Sequence, residues 1–238
     1  MKQPIVIGIV ALLAGCAGQP ASEQAPAASA LDSSEHPKQY VEQAYQFIAD
    51  KNHREALNAL NKAVELCSDY YNDPQQTVYA ARTTSENLLY LLQAASNEQQ
   101  AITVDTTCSD ALYLKGFTSL NFGKIEEAEE LVKRAIDMAP ANALYLAELG
   151  HILHVKKQWQ EALAIFTQAE EAAENFSPQE VQAVELTRAK RGIGFSLIEL
   201  NRLDEAEAKF KECLEIDPKD EGALRELEYI EHLRQSQQ

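Results

Sequence analysis

His151 and His154 stand three positions apart, a spacing that puts both side chains on one face of a helix, where they could meet a single metal ion. Zinc takes three or four protein ligands, and no cysteine or carboxylate near this pair completes a set by spacing. The pair therefore reads as groove-lining or surface histidines, and a metal-binding or enzymatic protein built on it is the alternative. Glu126-Glu127 and Glu129-Glu130 resemble paired catalytic carboxylates only superficially, because they open a helix, where the dipole favours negative charge. A glycine-rich phosphate loop, a His-Glu-x-x-His zinc pattern and a Gly-x-Ser-x-Gly nucleophile elbow are all missing from the sequence. The expectation is a protein that is not an enzyme, with no catalytic residue, cofactor or metal.

The remaining chemistry lies in four cysteines. Cys16 ends the stretch MKQPIVIGIVALLAGC, in which a basic Lys2 precedes an apolar run from Ile5 to Leu13 and then small residues. That pattern is a secretory signal, and the run is far short of the ~20 residues that cross a bilayer as a helix. Leu13-Ala14-Gly15-Cys16 resembles a bacterial lipobox. The resemblance implies that residues 1–15 are a signal peptide and that Cys16 becomes an acylated N-terminus anchored to a membrane. Ala17 stands where an aspartate would signal inner-membrane retention, so the periplasmic face of the outer membrane is the implied location. Residues 16–36 are rich in Pro, Ala, Ser and Gln and read as a flexible tether. Loss of Lys2 moves the net charge from -16 to -17, an acidity that argues against nucleic acid and against broad contact with anionic lipid.

These residues must be positioned by helices. Ala, Leu, Glu and Gln dominate, and only nine glycines and eight prolines punctuate 238 residues. A motif recurs along the chain. Gly116, Ala128 and Ala135 return 34 residues later as Gly150, Ala162 and Ala169, and after 44 more as Gly194, Ala206 and Cys213. Ala44, Ala56 and Ala63 form a weaker first copy, and a Glu-Ala pair marks all four, at Glu55, Glu127, Glu161 and Glu205. This resembles the tetratricopeptide repeat (TPR), a helix-turn-helix unit that stacks into a right-handed superhelix. The resemblance implies an all-α TPR solenoid. Its repeats span 37–70, 71–108 (degenerate), 109–142, 143–186 (with a ten-residue insertion lengthening the second helix or its loop) and 187–220, followed by a capping helix and tail at 221–238.

In such repeats the first helices line a concave groove. Carried onto this chain, the groove positions are Val41, Tyr45 and Ile48; Tyr113, Phe117 and Leu120; Ala147, His151 and His154; and Arg191, Phe195 and Ile198. The lysine and asparagine that hold a terminal carboxylate in chaperone-type repeats are absent. The groove reads as apolar and aromatic, with Arg188 and Arg191 at one end, suited to an extended peptide or an amphipathic helix. Cys67 and Cys108 each fall near the end of a presumed second helix in adjacent repeats and could pair in an oxidising compartment, although spacing does not fix the connectivity. Cys213 reads as a small core residue. The implied function is a lipid-anchored adaptor for envelope proteins or peptides, as similar lipoproteins serve in outer-membrane protein insertion, pilus secretin assembly or control of murein hydrolases. A passive structural lipoprotein is a further alternative.

Overall fold

The computed structural model describes residues 35–70 and 76–236. Among them are ten helices and two short strands: α1 (Pro37–Ala49), α2 (His53–Tyr70), β1 (Thr77–Ala80), α3 (Thr84–Ser96), β2 (Ala101–Val104), α4 (Thr107–Asn121), α5 (Ile125–Met138), α6 (Ala143–Val155), α7 (Trp159–Asn175), α8 (Gln179–Glu199), α9 (Leu203–Ile216) and α10 (Glu221–Ser236). The architecture is a solenoid of four helical hairpins, α1/α2, α4/α5, α6/α7 and α8/α9, closed by α10. The predicted signal peptide, Cys16 and the tether up to residue 34 lie outside the described residues. No helix among the described residues is long and apolar enough to cross a membrane.

The repeated small residues mark where two helices approach too closely for a side chain. A Cβ on Gly116 would fall 2.7 Å from Val132 Cγ2, one on Gly150 2.6 Å from the Phe166 ring, and one on Gly194 2.6 Å from the Phe210 ring. In each hairpin the partner lies sixteen residues further along, on the second helix. Phe166 is held from both sides, because a Cβ on Gly192 of α8 would lie 2.2 Å from the same ring. The ring thus fills the gap between α6 and α8, and its burial is worth roughly 2–3 kcal/mol.

Each hairpin turn also needs one residue in the left-handed backbone region, which ends the first helix. Gly123 takes this place at φ 72°, while Lys51, Lys157 and Asn201 take it at 60°, 58° and 57°. Cys67 and Cys108 are joined by a disulfide between the end of α2 and the start of α4.

Two expectations are corrected. Residues 71–108 do not form a degenerate repeat: α2 packs directly on α4, and the segment between them loops out as a β-α-β unit. β1 and β2 pair in parallel, Thr77 opposite Ala101 through Ala80 opposite Val104, with α3 packed against both. Thr83 caps α3 by accepting from the Glu86 amide, and Glu86 in turn accepts from the amide of Arg82, one residue before the cap. Tyr90 then ties the unit to the α5–α6 loop, its hydroxyl accepting from the Ala141 amide. The second correction concerns the ten extra residues, which lengthen two helices of different hairpins. α7 has 17 residues where α5 and α9 have 14, and α8 has 21 where α6 has 13, so α8 runs across the expected boundary at residue 186.

Candidate functional site

The first helices α1, α4, α6 and α8 stand side by side. Polar contacts stitch them together. Tyr145 of α6 donates to Asp110 of α4 at 2.7 Å and lies 3.0 Å from the Ser109 hydroxyl, and its ring stacks on Tyr113 with centroids 5.1 Å apart. Arg188 of α8 stands near Tyr113 and pairs with Glu148 of α6. His154 of α6 meets the Ser196 hydroxyl of α8 at 2.7 Å. Every neighbouring pair from α4 to α8 is thus held by at least one buried polar group that has found its partner, as burial requires.

Charge states follow from these surroundings. Burial raises the Asp110 carboxyl, against hydrogen bonds from Tyr145 and Thr106. Burial alone would also raise Glu148, but His151 and Arg188 together hold it below its ordinary value. Burial opposes the charge on Arg188, and Glu148 and Tyr113 more than restore it. Burial pushes the Tyr113 phenol up to about 12. His154 is pushed down to about 4, by burial first and by His151 second, so it is neutral at pH 7.

The expected groove residues divide into two groups. Tyr113 and Ile198 are buried inside the solenoid, as are Val41 and Ala147, and they serve packing. Phe117, Leu120, His154 and Phe195 are half-buried, and Tyr45 and His151 are exposed. Around His154 an aromatic cluster forms that sequence reading recovered only in part. Phe166 and Phe195 each lie 4.9 Å from its ring by centroid, and Trp159 lies 5.7 Å away and 6.1 Å from Phe195. Trp159 was missed because it opens the second helix of its hairpin, off the first-helix face used to list the groove.

One site expectation needs correction. Arg188 and Arg191 do not present a free cationic end, because Glu148 neutralises the first and Asp220, at the start of α10, neutralises the second. His151 and His154, the pair behind the alternative reading, have different surroundings. The first faces solvent with Glu148 3.7 Å away, while the second is packed among aromatic rings and bonded to Ser196. No group of three His, Cys, Asp or Glu able to hold a metal ion occurs among the described residues.

Stacked helical hairpins with a small residue at each crossing and first helices side by side define an α-solenoid. Part of this solenoid matches the tetratricopeptide repeat. Residues 118–177 and residues 192–220 match models of that repeat. No curated protein matches the chain. Among solved structures it is similar to Pseudomonas aeruginosa pilF, at 16% identity over 84% of this chain and 69% of that one, with a TM-score of 0.58. It is also similar to MamA from Desulfovibrio magneticus RS-1, residues 41 to the end, at 16% identity over 84% and 85% of the two chains, with a TM-score of 0.56. At such identities the likeness is one of fold.

Proposed function

We propose that this protein is a non-catalytic adaptor, anchored through an acylated Cys16 to the periplasmic face of a bacterial outer membrane, which holds a segment of an envelope protein on its concave face. TPR solenoids mediate protein–protein interaction, and that part of the reading rests on the matched repeats. The observation that carries the site is the half-exposed aromatic cluster of Trp159, Phe195 and His154, with Phe117 of α4 likewise half-buried. Aromatic rings with one buried and one open side suit an apolar anchor of a bound peptide or helix. The Cys67–Cys108 disulfide supports export to an oxidising compartment, as does the sequence before Cys16.

The test is crosslinking and affinity capture from intact envelopes with the native protein and a Phe117→Ala/Phe195→Ala variant. Both rings are half-exposed, so the variant keeps the buried Tyr113–Tyr145 stack. Loss of a discrete captured set from a variant with unchanged circular dichroism supports the concave site. An unchanged set moves the interaction elsewhere on the solenoid.

A further inference from the structure

The β-α-β insert presents a surface unlike the rest of this acidic chain. The inner face of α3 is its own small core, with Glu86, Tyr90 and Ala94 buried. The outer face carries Leu88, Leu91 and Leu92 at 59%, 39% and 58% exposure, spaced i, i+3 and i+4 so that they form one stripe. Around them stand Thr84, Ser85, Gln93, Ala95 and Ser96, all exposed and all uncharged. Glu86 is the helix's single charged residue, and it is fully buried. A chain with a net charge of -16 thus bears an outward helix face with leucines and no charge. A stripe of this kind marks an interaction surface.

Its place in the fold says what covers it. The folded unit begins at Glu35, which is held by the Tyr40 hydroxyl and by Lys62. His36 and Lys38 stand close enough to Asp105 to help lower its carboxyl, after the larger effect of its hydrogen bond to Thr107. Asp105 directly follows β2, and it lines one shallow cavity together with Thr84 at the start of α3. Glu35, the first residue of the folded unit, and His36 after it therefore stand on the side of the unit that carries Asp105 and the N-terminal end of α3. Cys16 lies nineteen positions before Glu35.

We propose that the outer face of α3 rests on a lipid surface, with Leu88, Leu91 and Leu92 seated at the boundary of headgroups and acyl chains. The proposal rests on the acylated-anchor reading for its effective concentration: a three-leucine stripe is a weak membrane ligand alone and an effective one when tethered. Contact at α3 would fix the rotation of the solenoid on the membrane. The absence of charge on the stripe suits a zwitterionic surface, while the net acidity of the chain opposes an anionic one.

The full-length protein, purified from a bacterial envelope and reconstituted in phosphatidylcholine vesicles with brominated acyl chains, tests this by tryptophan quenching. Trp159 is the sole native tryptophan, so Leu92→Trp adds one reporter on the stripe and Ala164→Trp adds one on an exposed face of α7. The mass of the N-terminal peptide reads acylation separately. The expected result is that Leu92→Trp loses at least about twofold more fluorescence than Ala164→Trp. Adding Leu88→Asp to Leu92→Trp, or anionic lipid to the vesicles, should diminish that loss. If the protein is acylated and the two reporters are quenched alike, the α3 proposal is overturned and the anchor stands. If it is not acylated and Leu92→Trp is still quenched, the lipid-binding face stands and the anchor reading falls. Neither acylation nor quenching overturns both. A residue-92 tryptophan already shielded without lipid, in a protein that sediments as a dimer or complex, overturns the lipid proposal in favour of a protein partner.

Discussion

Arg82, at the end of β1, places its guanidinium 2.7 Å from Glu185 of α8, 103 positions along the chain. The same guanidinium bonds Glu86, and Ser177 donates to Glu185, so a residue of α3, an arginine and the N-terminal extension of α8 form one network. Arg82 is 15% exposed, Glu185 7% and Glu86 0%. The two places where the chain leaves the 34-residue period therefore meet in space: the looped-out insert is clamped by the lengthened helix. Replacing Arg82 with Met strands two buried carboxylates and should destabilise the fold by about 3–5 kcal/mol. Hydrogen exchange should report the loss first at residues 77–104. Uniform loosening across all hairpins, with no excess in the insert, would show that the clamp is not what holds this unit.

The disulfide acts on the same unit. Cys67 and Cys108, separated by 41 positions, close a loop that contains the whole β-α-β insert. A loop of that size is expected to stabilise the fold by about 3–4 kcal/mol through restriction of the unfolded chain. A Cys67→Ala/Cys108→Ala variant should lower the urea midpoint accordingly, while Cys213→Ala should act through the small volume it removes next to α8. Equal midpoints for the native and double-variant proteins would contradict this.

The helix crossings make a sharper comparison. Gly192→Ala would put a Cβ 2.2 Å from the Phe166 ring, which is already enclosed by Gly150, so the expected cost is about 1–3 kcal/mol from overpacking. Gly222→Ala meets both the flexible Arg191 side chain and Asp220 Oδ1, which caps α10, at 3.0 Å, and should cost less than Gly192→Ala. Pairing Gly192→Ala with Phe166→Leu should recover part of the loss. Thermal unfolding of the three variants measures the difference.

This crossing geometry explains why the solenoid was legible in the sequence. Close approach of two helices leaves room for glycine or alanine alone, and the constraint repeats every time the unit repeats, as Gly116, Gly150 and Gly194 show. The insert has no such constraint. TVYA and AITV are four-residue strands, too short for alternation to show, and the helical pattern of ENLLYLLQAA between them read as part of a repeat. Their β-branched residues, each run bordered by polar loop residues, were the available signal. The site was legible where first-helix spacing sets direction, as at Phe117 and Phe195. It was not legible where charge pairing decides: Glu148 and Asp220 lie 40 and 29 positions from the arginines they neutralise.

The hairpin turns offer a stabilising change. Lys157 occupies a left-handed backbone conformation at the position where Gly123 serves in the preceding hairpin. A β-carbon there costs roughly 1–2 kcal/mol, of which glycine returns about half to the entropy of the unfolded chain. Lys157→Gly should therefore gain up to about 1 kcal/mol, read from denaturant unfolding, and a loss of stability would show that the lysine side chain makes a contact that matters more than its backbone strain.

His154 makes the fold sensitive to mild acid. Its folded value of about 4 lies below the ordinary histidine value of 6.5, because burial among Trp159, Phe166 and Phe195 penalises the charged ring. Above pH 6.5 both the folded and the unfolded chain hold the neutral ring, and the contribution to stability is complete. As the pH falls the unfolded chain takes up the proton first, so stability declines from about 6.5 down to about 4 and changes no further below that. The expected loss is about 2 kcal/mol by pH 5. Asp110, whose carboxyl is raised by burial, works in the opposite sense as the pH falls through the carboxylate range. Its effect cancels when the native protein is compared with His154→Phe, which keeps an aromatic ring in the cluster and removes the titration. Ser196 retains a partner in that variant, since its hydroxyl also donates to the Gly192 carbonyl. The difference in urea midpoint between pH 7 and pH 5 should thus shrink markedly in His154→Phe. An undiminished difference would mean that the histidine is already protonated in the folded chain at pH 5, and that the aromatic cluster is open to water on the concave side.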